Sequence, residues 1–145
     1  DAKRELRRGC LTRLGWDIDR EVGVVFAHTM SDIPLSDAQA FRDIAEWIKE
    51  TLSIAIQDTT KYWVFKAHPL DAKYDSTGFM RSLAATASSH QHIAFSSDLS
   101  LTESLALADF AVSLRGTVGI EAEAFGIPCI LAGCGPYTSI GFSKV

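Results

Sequence analysis

Phe110–Gly135 reads FAVSLRGTVGIEAEAFGIPCILAGCG. It divides into an apolar run, a glycine turn, a short helical stretch and a second apolar run. Phe110 to Leu114 is predicted to be a strand, Thr117 to Phe125 a helix, and Cys129 to Ala132 another strand. Gly126 stands at the position after the helix where a left-handed residue ends the spiral, and Pro128 follows as a stop. A strand–turn–helix–strand unit of this kind belongs to a parallel sheet. It exposes backbone amides at the sheet's carboxyl end, where phosphates bind.

Upstream, Val22–Ala27 (VGVVFA) is continuously apolar and β-branched, as in a strand buried on both faces. Polar residues follow it: His28, Thr29, Ser31 and Asp32. Ser36 and Gln39 match a capping box, and Phe41, Ile44, Ala45, Ile48, Leu52 and Ala55 continue at helical spacing. Trp47 sits beside that stripe and is read as packing. Tyr62 to Phe65 is a second strand, running into Lys66-Ala67-His68-Pro69. Pro69 biases His68 to an extended backbone. A helix from Phe79 to Ala87, a strand from Ile93 to Phe95 and a helix opened by the Ser100/Glu103 capping box complete the order. Strand and helix alternate strictly, so the fold class is α/β, a Rossmann-like parallel sheet flanked by helices.

The bulk properties bound the function. At 145 residues, one domain is expected. A net charge of −4 argues against a nucleic-acid surface. No apolar run approaches the roughly 18 residues of a membrane span. The cysteines, Cys10, Cys129 and Cys134, form neither a disulfide framework nor a zinc pattern, and a reduced, cytoplasmic setting is the simplest reading. His28, His68, His90 and His92 lack metal-ligand spacing, so no metal is expected. Residues 1–21 hold six of the 14 Lys and Arg residues and read as a linker or lead-in helix, with the main domain over 22–145. The chain opens on Asp1 and runs out at Val145 without a stop signal, which leads us to expect one domain of a longer protein.

Candidate site residues follow from the turn. Gly116 lets the backbone bend and approach a ligand; Thr117 can cap the helix or face an anion. The amides of Val118 and Gly119 are first-turn donors. Ser113 and Arg115 precede the turn, and Glu121 lies one helical turn in, where it can accept from ribose hydroxyls. His68, held at a strand end, can donate to a phosphate or move a proton. The glycine spacing is neither G-x-G-x-x-G nor a P-loop.

The KAHP segment, SLRGTVGIEAEAFGIPCILAG and the later GPYTSIGF together resemble the nucleotide-binding C-terminal domain of bacterial capsular polysaccharide synthesis proteins. These are GT-B type glycosyltransferases that include the Kdo transferases of capsule assembly. They are similar to polysialyltransferases and teichoic-acid glycerophosphotransferases. The resemblance spans Val22 to Phe142. It matches His68 and Pro69 to an H-P motif, Gly116 and Thr117 to a Ser/Thr motif, Glu121 to the E-A before G-x-P, and Tyr137 and Gly141 to a closing Y…G pattern. Arg115 departs from it, replacing a small residue.

The resemblance implies a nucleotide-sugar donor, with cytidine-linked sugars first in line, and no cofactor or bound metal. It implies that His68 is catalytic. Phosphate and nucleotide contacts would come from His28, Thr29, Ser31, His68, Pro69, Ser113, Arg115, Gly116, Thr117, Val118, Gly119 and Glu121. Tyr137 and Gly141 would stand at the periphery. It also implies an N-terminal acceptor domain as partner, a cytoplasmic location at the inner membrane through other parts of the protein, and a fragment inactive alone. Two alternatives stand beside it. One is a UDP-GlcNAc 2-epimerase-like enzyme, although the D-S-G-G-x-x-E-E form is lacking. The other is a non-catalytic nucleotide-sugar-binding module.

Overall fold

The computed structural model describes residues 1–30, 41–74 and 77–133. Eleven elements are described: α1 (Ala2–Leu14), β1 (Val22–Phe26), α2 (Ile44–Gln57), β2 (Tyr62–Lys66), α3 (Asp71–Tyr74), α4 (Phe79–Ala87), β3 (Ile93–Ser96), α5 (Leu101–Leu107), β4 (Phe110–Ser113), α6 (Val118–Ala124) and β5 (Cys129–Leu131). The strands form one parallel sheet in the order β3-β2-β1-β4-β5. The α/β, Rossmann-like expectation is met.

Strand alternation divides the core in two. Val22, Val24, Phe26, Tyr62, Val64 and Ala111 face α1, α5 and α6. Val25, Trp63, Phe65 and Val112 face α2 and α4. Every residue of β1 is buried, because helices cover both its faces. Gly23 is needed there for space: an added Cβ would stand 2.5 Å from the Phe110 ring. Trp47, 1% exposed, packs inside the second layer as expected.

The sheet also explains where the order changes. β2 and β3 extend from one side of β1, and β4 and β5 from the other. The chain leaves β1 for α2 on one face and leaves β4 for α6 on the opposite face. The carboxyl ends of β1 and β4 therefore flank a topological switch point, the place where open α/β sheets form a ligand crevice.

Several expectations are adjusted. α2 starts at Ile44, with Asp43 as N-cap accepting from the Glu46 amide at 2.7 Å. The Ser36 box lies outside the described residues, as do Ser31, Asp32, Cys134, Tyr137 and Gly141. Of the two readings of residues 1–21, linker or lead-in helix, the structure has a helix: α1 covers Ala2–Leu14 and buries Cys10 and Leu11 in the core. Its Arg7 reaches Asp109 at 2.8 Å, beyond the end of α5, and its Arg13 reaches Glu103 at 2.5 Å, near the start, so the two helices run antiparallel. α3 is a short turn of helix that the pattern did not foretell. Among the described residues, no helix is long and apolar enough to cross a membrane.

Candidate functional site

A cleft of about 710 Å³ opens at the carboxyl ends of β1, β2 and β4. Each wall comes from a different strand end. β1 contributes Phe26 to His28, β2 contributes Lys66 to Pro69, and β4 with the turn after it contributes Ser113 and Arg115 to Val118. The loop from β3 to α5 adds Ser97 to Leu101, and α6 adds Glu121. Of the candidate site residues, His28, His68, Pro69, Ser113, Arg115, Gly116, Thr117, Val118 and Glu121 line this one cleft.

The β4–α6 turn is built by short local bonds. The Gly116 amide donates to Ser113 Oγ at 3.1 Å, and the Arg115 amide approaches His28 Nε2 at 3.4 Å. A Cβ on Gly116 would meet Ser113 Oγ at 3.2 Å and the His28 ring at 3.5 Å. Gly116 is absent from the left-handed region, so it serves close approach and not a sharp turn. Ser113, fully buried, holds the turn closed.

Three finer expectations change. Thr117 makes no side-chain cap, because it already has helical backbone angles and its hydroxyl is not folded over the first turn. The Gly119 amide is not a free donor: it bonds the Gly116 carbonyl at 3.2 Å, since the first turn is tightened. Gly119 and Thr29 are both buried outside the cleft wall. Among the described residues, the amides of Thr117 and Val118 have no acceptor. The other end of α6 is as expected: Gly126 has φ 70°, with Gly126 N–H to the Glu123 carbonyl and Ile127 N–H to the Ala122 carbonyl, both at 2.9 Å.

His68 is half-buried, and its Nδ1 accepts the Leu70 amide at 3.2 Å. That bond leaves the proton of the neutral ring on Nε2, which can donate to a ligand. His28 is buried, with its ring edge-on to Trp47 at 6.1 Å.

Lys66 was not among the expected site residues. It is the last residue of β2, 8% exposed, and lines the cleft. Burial lowers its pKa from the ordinary lysine value, and the charge of Glu103 opposes that shift. The signal was a lysine closing an otherwise apolar strand, YWVFK. Ser97, Asp98, Ser100 and Leu101 were missed too, since they are ordinary loop residues whose role depends on strand order. Cation-capable groups (Lys66, His68, His28, Arg115) line the cleft together with two carboxylates, Asp98 and Glu121. The set suits an anionic ligand that also carries hydroxyls. Among the described residues, no cluster of His, Cys, Asp or Glu is arranged to hold a metal.

No family model matches the sequence, and no curated protein does. Solved structures do. KpsC of Thermosulfurimonas dismutans, a beta Kdo 2,7 transferase, superposes with a TM-score of 0.60 at 20% identity over 99% of this chain and 46% of its own. The UDP-GlcNAc 2-epimerase of Methanocaldococcus jannaschii gives 0.58 at 20% identity, over 97% and 38%. The wall teichoic acid polymerase TagF, soaked with CDPG, gives 0.57 at 12% identity, over 88% and 27%. The chain therefore spans less than half the length of each. These likenesses establish the fold: a Rossmann-like domain of the kind found in GT-B proteins.

Proposed function

We propose that this chain is the donor-binding domain of a bacterial surface or capsular polysaccharide glycosyltransferase. The observation that carries the reading is convergence: Lys66 and His68 from β2, His28 from β1 and Arg115 from β4 line one cleft at the switch point. The likeness to a Kdo transferase and to a polymerase soaked with CDPG supports a nucleotide-linked, cytidine-type donor. His68 Nε2–H donates to the donor's phosphate, with Pro69 holding the loop. The Thr117 and Val118 amides and Arg115 share the phosphate charge, and Glu121 accepts from ribose hydroxyls.

In the transfer, the bond between the sugar's anomeric carbon and the phosphate oxygen breaks, and its electron pair leaves on the nucleotide. His68 stabilises that developing charge. The acceptor hydroxyl forms the new bond and gives its proton to a base outside this chain, in an N-terminal acceptor domain. The chain alone binds donor without turnover, on the cytoplasmic side of the inner membrane, and the chemistry proceeds without metal.

Titration of the 145-residue chain with CMP, CDP and UDP, followed by NMR or calorimetry, tests this. CMP-selective binding that His68→Ala weakens supports it. The second reading, an epimerase-like domain, is favoured by the nearly equal likeness to the archaeal epimerase, and UDP selectivity would select it. A chain that binds no nucleotide would sink both.

A further inference from the structure

Lys66 occupies an unusual position. Its backbone is paired on both sides, opposite Phe26 of β1 and Ser96 of β3, at the last rung of the sheet. Strand alternation sends its side chain to the same face as Val64 and Tyr62, toward α5. It is more than nine-tenths buried, yet among the described residues it makes no hydrogen bond and no ion pair.

Among the described residues, none of the nearby carboxylates, Glu103, Asp98 and Glu121, forms an ion pair with Lys66, and the first two have partners of their own. Glu103 accepts the Ser100 amide at 2.8 Å and Arg13 at 2.5 Å, and Asp98 accepts from Ser97 Oγ at 3.0 Å. A lysine this buried is ordinarily paired. Its stem is buried while the residue lines the open cleft, so the ammonium is partly stripped of water with no counter-charge from the described residues, and an anionic ligand entering the cleft would supply one. Two residues on, His68 points its free nitrogen from the same loop. The cleft above is wide enough for a phosphate to reach both.

We propose that Lys66 is the floor cation of this cleft, a ligand-binding residue whose counter-ion is the phosphate group nearest the sheet. This rests on the donor-site reading and names the group that the cleft's base recognises. It carries a sign that a structural lysine would not: the ligand-free protein gains nothing from the charge, while the complex depends on it.

The test uses Lys66→Met and Lys66→Arg in the full chain, with CMP, cytidine, inorganic phosphate and pyrophosphate as probes. Lys66→Met is expected to weaken CMP binding at least about tenfold, one charge-assisted hydrogen bond's worth. It should leave cytidine binding unchanged and the ligand-free melting temperature equal or higher. Lys66→Arg, which keeps the charge, should recover part of the CMP affinity. CMP binding equal to that of the unaltered chain, or a lower ligand-free melting temperature with equal loss for cytidine and CMP, overturns the proposal. If the unaltered chain binds no nucleotide but takes up phosphate or pyrophosphate through Lys66, the donor reading fails and this one stands. Binding of none of the four probes overturns both.

Discussion

The two ends of the sheet are made of similar residues and put them to opposite uses. At the amino end, charges and rings are matched within the chain. Asp109 accepts both Arg7 and the Val22 amide at 2.8 Å, and Arg7 also donates to the Leu107 carbonyl. Trp16 stacks on Tyr62 with ring centres 4.5 Å apart and donates to the Gln91 carbonyl, while Arg20 lies over the Tyr62 ring. At the carboxyl end, Lys66 has no such partner among the described residues, and His68, which lines the cleft, has only its Nδ1 engaged there, by the Leu70 amide. A satisfied end stabilises; an end with unspent donors is open to a ligand. The position of polar residues along a strand says little by itself, and the difference lies in whether their partners are inside the chain.

That contrast can be broken by experiment. The largest effect is expected from Asp109→Ala, which strips an acceptor from a guanidinium and a backbone amide together. It should cost about 2 kcal/mol in urea unfolding and leave CMP affinity of the folded protein unchanged. His68→Ala should do the reverse: stability within about 0.5 kcal/mol, and CMP binding weaker by about tenfold in calorimetry. If both variants moved both quantities, the two ends would not be separable.

Gly116→Ala tests the turn between them. The new methyl must displace Ser113 Oγ or the His28 ring, at a cost of about 1 kcal/mol, with weaker CMP binding as the cleft wall shifts. Glu103 marks the boundary, since it lies at the open end but serves the fold. Hydrogen bonds from the Ser100 backbone and side chain, then from Arg13, lower its pKa from 4.5 to about 2. Its contribution to stability is therefore complete above pH 4.5 and is lost as pH falls toward 2. Glu103→Gln should flatten that acid limb in urea midpoints measured across this range, with little change at neutral pH.

Local chemistry was the readable part of the fold. The Ser100/Glu103 box and the Gly126 stop could be seen because each is a bonding pattern within four or five residues. The cap of α2 was less readable: Asp43 and Glu46 supply it, the Ser36/Gln39 match lies outside the described residues, and periodicity alone does not choose between two sound cap sequences. Strand order was beyond reach, because alternating strands and helices fit several orders. With it went the loop of Ser97 to Leu101, which reaches the cleft only because α5 recrosses the sheet from β3 to β4. Lys66 was overlooked because a terminal lysine reads as an exposed strand end, and its burial comes from neighbours far away in sequence.

β1 and β4 are laced together at both ends, Val22 to Asp109 and His28 to Arg115, each across 87 residues. Closing so long a loop carries an entropy cost that local helices and the β1–β2 pair meet sooner. The cleft has no existence until that late seam closes. On the donor-site proposal, nucleotide capture becomes a clock for folding: a refolding chain should acquire its helical signal first, and its power to bind CMP last.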